Sequence, residues 1–382
     1  MAFLLAVTCA LILYGTLYPF DFLAGAHPGG VIDLLIASLN LRPGRGDILS
    51  NVVLFLPFGF FAMQAWLAKA PRLLRLLVVV LMGAAFSFGI EYAQTYLPLR
   101  TPSLYDIALN GFGTLAGAMA GWADWRESFA RAQAANRPIA LFPVLLLAAW
   151  LGYRLFPYVP TIDFQHVKDA LKPLLSTGLI AVDVLRHFIV TLVIGRLLQA
   201  VTTPGRALLA MIVMTLGVIA AKPFIMTKVI LPSELAGVVA GVVVWVVVLS
   251  RLSWRTAIVA LLLAVQIVVQ GVTPFIVRAE PVAISLIPFI GFEGGSMSVN
   301  LQSFFEKIFL YGALVWLLAA ASRSLAFSVT ASVALLTAIE LVQMFLADRV
   351  SEITDPLLAI LMGLALYALD RRDPAQRRAA DV

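Results

Sequence analysis

Five charged or amide side chains stand in a largely apolar stretch at 87–121, SFGIEYAQTYLPLRTPSLYDIALNGFGTLAGAMAG. They are Glu91, Gln94, Arg100, Asp106 and Asn110. Ionisable groups inside a membrane segment are costly and mark functional sites. Paired carboxylates can do acid–base work, and a carboxylate beside an arginine can stay ionised in a charge-assisted pair. No nucleophile accompanies them, so whether the chain is an enzyme stays open.

The same set of side chains recurs near the C-terminal end of the sequence. The stretch at 338–363, AIELVQMFLADRVSEITDPLLAILMG, contains Glu340, Gln343, Arg349 and Asp355. In both stretches Gln, Arg and Asp follow the glutamate at three, nine and fifteen residues. We predict that both sets belong to substrate-binding sites.

Carboxylate–amide pairs at a spacing of three or four residues share one helix face. Three such pairs occur in the first third of the chain: Asp47 with Asn51, Glu91 with Gln94, and Asp106 with Asn110. We expect them to converge with Arg100. The alternative is that each side chain only links helices, through hydrogen bonds of about 1 kcal/mol each.

The composition indicates the fold class. The chain has 382 residues, of which 62% are hydrophobic and 13% charged, whereas soluble domains have about 25% charged residues. Runs of roughly 20 apolar residues recur throughout, as in spanning helices. We predict an all-α, polytopic transmembrane bundle in a lipid bilayer. The net charge of +6 reflects Lys and Arg at helix ends and does not indicate a nucleic-acid partner.

Twelve spans are predicted from the apolar runs. They lie at 3–20, 47–67, 73–96, 103–122, 139–156, 179–201, 207–224, 230–249, 256–275, 302–321, 326–346 and 354–369. Two shorter segments, 31–39 and 166–175, are expected to lie along the membrane interface. On the fourth span, Gly111, Gly113, Gly117 and Gly121 are expected to permit close helix contact.

The twelve spans form three groups of four with a common order of motifs. The predicted units are 1–137, 138–252 and 253–382. The second unit departs most: Lys222 stands at the glutamate position, with Lys228 and Glu234 near the arginine and aspartate positions. We interpret it as a degenerate copy. In the third unit, Lys307 stands at the polar position of the second helix. Internal repeats commonly build sites in membrane proteins.

The distribution of Lys and Arg predicts the orientation. The loops after even-numbered spans, together with the C-terminus, hold a slight excess of these residues, which favours both termini in the cytoplasm. The repeated polar motifs then lie at the outer ends of the helices. The three histidines lack ligand spacing, and no phosphate-binding, hydrolase or zinc-protease motif is present. We therefore predict neither a metal nor a cofactor.

The motifs resemble the VanZ-like family of bacterial membrane proteins. They are LYPFDF, DILSNVVLFLPFGFF, EYAQ followed by Arg100, and YDIALNGFGTLAG. The resemblance is close over 1–122, partial over 338–367 and faint between. It implies Asp47, Asn51, Glu91, Gln94, Arg100, Asp106 and Asn110 as site residues. It also implies kinship with an accessory protein that lowers susceptibility to the glycopeptide teicoplanin. Usual members carry one such domain, whereas this chain resembles a fused, three-unit version.

Three functions follow as hypotheses. The first is a bacterial cytoplasmic-membrane protein whose outer-leaflet polar site binds or modifies a lipid- or glycan-linked envelope component. The second is a secondary transporter whose repeats move against one another. The third is a structural partner of an envelope enzyme.

Overall fold

The structure, a computed structural model, describes residues 2–17, 20–25, 29–40, 43–65, 70–98, 100–122, 141–161, 163–289 and 297–370. Residues 123–140 and 371–382, which carry part of the predicted charge bias, lie outside the described residues, as do Tyr18 and Pro19 of the LYPFDF motif. Within the described ranges the chain forms α-helices, two short 3₁₀ turns and three isolated β-bridges, without a strand. The predicted all-helical class is confirmed.

The first compact unit comprises Met1–Arg131. Its helices are α1 (Ala2–Leu17), α2 (Val31–Ser38), α3 (Arg45–Ala65), α4 (Arg72–Gln94) and α5 (Leu104–Ala120). Helix α5 packs along α3 and α4, and α1 packs on α3. A phenylalanine cluster fills the centre, where the rings of Phe58 and Phe86 stack with centroids 5.5 Å apart.

Glycines explain the close approach of α3 and α5. A Cβ on Gly117 would lie 2.0 Å from the Leu56 carbonyl oxygen, and one on Gly113 would lie 2.2 Å from that of Val52. The small-residue contact expected from the sequence therefore forms at these positions. The expectation was wrong for Gly111, because a Cβ there would meet nothing within 4 Å.

The second compact unit comprises Ala132–Val382. Its helices are α6 (Leu141–Leu155), α7 (Phe164–Leu171), α8 (Pro173–Ser176), α9 (Ala181–Val201), α10 (Pro204–Ala221), α11 (Pro232–Val247), α12 (Arg255–Val272), α13 (Met297–Ser322), α14 (Leu325–Gln343) and α15 (Thr354–Asp370). Helix α9 packs against α11, and α13 contacts α6, α12, α14 and α15. The predicted boundary at 137 lies outside the described residues. The division of the rest at 252 remains a prediction.

Six of the described helices are long and apolar enough to cross a membrane. A seventh crossing would form if the segment Phe164–Ser176 and helix Ala181–Val201, bent by 112° at their junction, were one span. Four shorter apolar helices cover Leu4–Leu17, Ser50–Ala65, Leu141–Leu155 and Thr354–Leu369. The chain is therefore a multi-pass membrane protein. The twelve-span, three-repeat arrangement remains a prediction.

Candidate functional site

The first polar cluster begins at the end of α4. Glu91 is only 2% exposed, and its Oε2 accepts a hydrogen bond of 2.8 Å from the backbone amide of Ser103. Ser103 is the N-cap of α5, and its hydroxyl accepts from the amide of Asp106. The Glu91 carboxylate thus joins the last turn of α4 to the start of α5. The first amides of a helix have no partners within the helix, so an acceptor at this position is favourable.

Asp106 connects this junction to the start of α3. The side chains of Ser103 and Asn51 lie beside its carboxylate. Asp47 lies close enough for its charge to act on Asp106, but it is exposed and accepts from the amide of Gly44 at 3.1 Å. The structure therefore brings Asn51, Glu91 and Asp106 together, with Asp47 at their edge.

Gln94 and Arg100 contact the end of α1. The Gln94 amide donates to the Thr16 carbonyl at 3.0 Å, and the Arg100 guanidinium donates to that of Gly15 at 3.3 Å. Both carbonyls belong to the last turn of α1, where helix carbonyls lack intrahelical donors. Asn110 lies deeper and links two helices, since its amide donates to the Ser87 hydroxyl at 3.0 Å.

The second polar cluster, in the second compact unit, repeats these contacts. Glu340 is also 2% exposed, and its Oε2 accepts a 2.8 Å hydrogen bond from the amide of Glu352. Gln343 donates to the Gly271 carbonyl at 2.9 Å. Arg349 donates to the Gln270 carbonyl at 2.7 Å and to that of Thr273. Gly271 and Gln270 again lie at the end of a helix, α12.

Asp355 completes the second cluster. It pairs with Lys307 of α13 at 2.5 Å and accepts a hydrogen bond from the hydroxyl of Tyr311. Lys307 thus lies next to Asp355 in this cluster, as Asn51 lies beside Asp106 in the first. The Lys307 ammonium also lies 4.0 Å from a carboxylate oxygen of Glu352.

A cavity of about 260 Å³ opens beside the second cluster. Its charged and amide lining residues are Gln270, Glu306, Lys307, Glu340, Gln343, Asp348, Arg349, Glu352 and Asp355. Glu306 pairs with Arg186 of α9 and accepts from the Gln270 amide. This cavity could hold a small polar group.

A third polar cluster, also in the second unit, is closed. Glu234, 1% exposed, pairs with both Arg154 and Lys222, and the adjoining cavity measures only about 10 Å³. The predicted reversal of charge at Lys222 is therefore balanced within the cluster. Burial lowers the pKa of Lys228, which lies between α10 and α11, and the positive charge of Arg154 lowers it further. Among the described residues, no three His, Cys, Asp or Glu side chains could hold a metal ion together.

Comparison with known families concerns the first unit. A family model described as VanZ/LLP1 matches residues 2–123. Residues 2–123 therefore form a VanZ-like domain. This range contains Asp47, Asn51, Glu91, Gln94, Arg100, Asp106 and Asn110. No curated protein and no solved structure matches the chain.

Several residues that make contacts in the polar clusters are not predicted from the sequence. Ser103 and Glu352 hold the two glutamates through their backbone amides, a contact that does not depend on side-chain type. Tyr311 lies in the middle of the predicted span 302–321, where its hydroxyl has no visible partner in the sequence. The pairing of Arg154 with Glu234 joins helices distant in sequence and depends on packing. Arg278 donates to the carbonyls of Leu346 and Arg349 at 2.6 and 2.7 Å, so it fixes the loop that carries Arg349.

Proposed function

We propose that this VanZ-like protein binds or modifies a lipid- or glycan-linked envelope component at the outer leaflet of the bacterial cytoplasmic membrane. Both termini would lie in the cytoplasm, and the polar clusters would face the compartment where such molecules are assembled. An effect on glycopeptide susceptibility would follow from a changed supply or structure of that component.

The recurrence of one contact set supports the proposal. In two clusters a buried glutamate holds a backbone amide, a glutamine holds a helix-end carbonyl, and an arginine holds the carbonyl beside it. These bonds use only one oxygen of each glutamate. The Oε1 atoms of Glu91 and Glu340 accept no hydrogen bond in the part of the chain that the structure describes. Such an oxygen can bind a donor group of a ligand or accept a proton.

The position of these oxygens at helix ends of a membrane protein favours a ligand that has both a donor group and an apolar tail. A polar group buried in an apolar setting without a partner costs free energy, about 1–3 kcal/mol on protein scales. A ligand that presents a donor at the helix ends while keeping its lipid tail in the bilayer would remove that cost. Lipid-linked envelope molecules combine both features.

The test compares double variants in a bacterium that carries the chain as its sole copy. We expect Glu91→Ala with Arg100→Ala to insert normally and to change lipid-linked envelope intermediates and teicoplanin susceptibility. The matched control replaces the exposed Asp33 and Arg72 by alanine and should behave as wild type. A Glu91/Arg100 variant that inserts normally and shows no envelope change would overturn the proposal.

The two other functions make different predictions in the same experiment. A transporter requires ion-dependent solute flux in proteoliposomes that the double variant abolishes. A structural partner requires a stoichiometric protein that copurifies with the wild type and with the double variant alike. Either result would replace the envelope-binding function.

A further inference from the structure

The cavity of the second cluster carries surplus negative charge. Five carboxylates line it, from Glu306, Glu340, Asp348, Glu352 and Asp355, against two cations, Lys307 and Arg349. Glu306 pairs with Arg186, and Lys307 pairs with Asp355 and lies 4.0 Å from Glu352. Arg349 directs its guanidinium at backbone carbonyls. Among the described residues, no cation pairs with Glu340 at this cavity.

Two hydrogen-bond acceptors on this cavity lack donors. The Gln270 amide nitrogen donates to Glu306 at 3.1 Å, which fixes the orientation of the amide, and its buried Oε1 has no partner. Glu340 also lines the cavity, and its Oε1 accepts no hydrogen bond from the described residues, since the Glu352 amide donates to Oε2. A buried acceptor is normally satisfied, so the Gln270 oxygen requires an explanation.

The closed third cluster shows how this chain satisfies a comparable carboxylate. There the Lys222 ammonium lies against Glu234, and almost no space remains. In the sequence alignment of the predicted units, Lys222 occupies the position of Glu340. Where the third cluster holds an ammonium of its own, the second cluster holds a carboxylate and a cavity.

We propose that the cavity beside Glu340 binds a primary ammonium group, of the kind carried by an aminoalkyl lipid headgroup or a free amine. Resting on the proposed function, this assignment names the ligand class of one of its sites. The ammonium would donate to Oε1 of Glu340 and to Oε1 of Gln270, and its charge would offset that of Glu340. A quaternary ammonium has the same charge but no N–H donor, so it would bind poorly.

The test uses the purified full-length chain. In detergent, ethanolamine is titrated against the thermal unfolding midpoint at constant ionic strength, with choline and sodium as comparators. In nanodiscs of phosphatidylethanolamine or phosphatidylcholine, native mass spectrometry counts the retained lipids. Ethanolamine should raise the midpoint saturably, because a ligand that binds only the folded state stabilises it, whereas choline and sodium should not.

Glu340→Gln tests the assigned atoms. The glutamine can still accept from the Glu352 amide but turns an N–H₂ group toward the cavity. Loss of a charge-assisted hydrogen bond should weaken ethanolamine binding at least about tenfold. Glu280→Gln, the same change at an exposed site outside the lining, should bind as wild type. If Glu340→Gln does not fold, Gln270→Leu provides the second test, because it removes the other proposed acceptor and should also weaken ethanolamine binding.

The outcomes distinguish a lipid headgroup from a soluble amine, and they test the ammonium assignment separately from the proposed function. Retention of phosphatidylethanolamine without binding of free ethanolamine identifies a lipid headgroup, and binding of ethanolamine without lipid preference identifies a soluble amine. The ammonium assignment is overturned if choline binds as well as ethanolamine. It is also overturned if Glu340→Gln and Gln270→Leu both bind ethanolamine as the wild type does, or if neither an ethanolamine effect nor a lipid preference is observed. If the Glu91/Arg100 variant still alters the envelope in that case, the proposed function stands and only the ligand class is wrong.

Discussion

Glu91 and Glu340 each accept a 2.8 Å hydrogen bond from the backbone amide that lies twelve residues further along the chain. The two residues belong to different compact units, so the same hydrogen bond forms once in each unit. In each case the carboxylate ends one helix and holds the backbone at the entrance to the next, where the helix dipole favours negative charge. The recurring spacing in the sequence therefore encodes a junction between helices as well as a candidate binding site.

Glu91→Ala should lower the free energy of unfolding of the full chain by about 1–3 kcal/mol, because it leaves the Ser103 amide without its acceptor. Glu91→Gln should cost less, since its side-chain oxygen can still accept from that amide. Denaturant unfolding in detergent measures both. Equal stability of the alanine and glutamine variants would show that the hydrogen bond contributes nothing.

The contact between α3 and α5 gives a prediction about glycine. Gly117→Ala should destabilise the first unit, because its Cβ would lie 2.0 Å from the Leu56 carbonyl oxygen and force the two backbones apart. Overpacking of this kind typically costs about 1–3 kcal/mol. The thermal unfolding midpoint measures the loss.

Gly111→Ala is the matched control on the same helix. Its Cβ meets nothing within 4 Å, and alanine is favoured over glycine in helices by about 1 kcal/mol. This variant should therefore be as stable as the wild type or more so. If both alanine variants behaved alike, close helix packing would not be the reason for the glycine at 117.

Gln343→Leu should loosen the attachment of α14 to α12. It removes the 2.9 Å hydrogen bond to the Gly271 carbonyl, and interhelical hydrogen bonds in membranes contribute about 0.6 kcal/mol on average, with a maximum of about 1.7. Gln94→Leu removes the equivalent bond to Thr16 and should cost a similar amount in the first unit. Hydrogen exchange at the ends of α12 and α1 reports each loss separately. Unchanged exchange in both variants would contradict the proposed links.

The sequence predicted the helices and the polar set for physical reasons that operate locally. Apolar runs specify helices in lipid, and the offsets of Gln94, Arg100 and Asp106 from Glu91 are visible in the chain itself. Their partners are not, because the Thr16 carbonyl and the Ser103 amide are backbone atoms that any residue type could supply. The contact of Tyr311 with Asp355 joins helices distant in sequence and depends on packing.

The closed cluster around Glu234 predicts a large loss of stability when its carboxylate is removed. Glu234→Ala should destabilise the second unit by about 3–5 kcal/mol, because it leaves the cations of Arg154 and Lys222 buried without a counter-charge. Unfolding of the full chain in detergent measures the loss.

Replacing all three members of this cluster by methionine should cost far less than the single change. A buried ion network can be exchanged for apolar side chains of similar volume at little or no loss of stability, because the desolvation of the charges disappears together with their attraction. The triple variant Arg154→Met, Lys222→Met, Glu234→Met should therefore be more stable than Glu234→Ala. The opposite order would mean that the ion pairs themselves stabilise the fold by more than the desolvation of their charges costs.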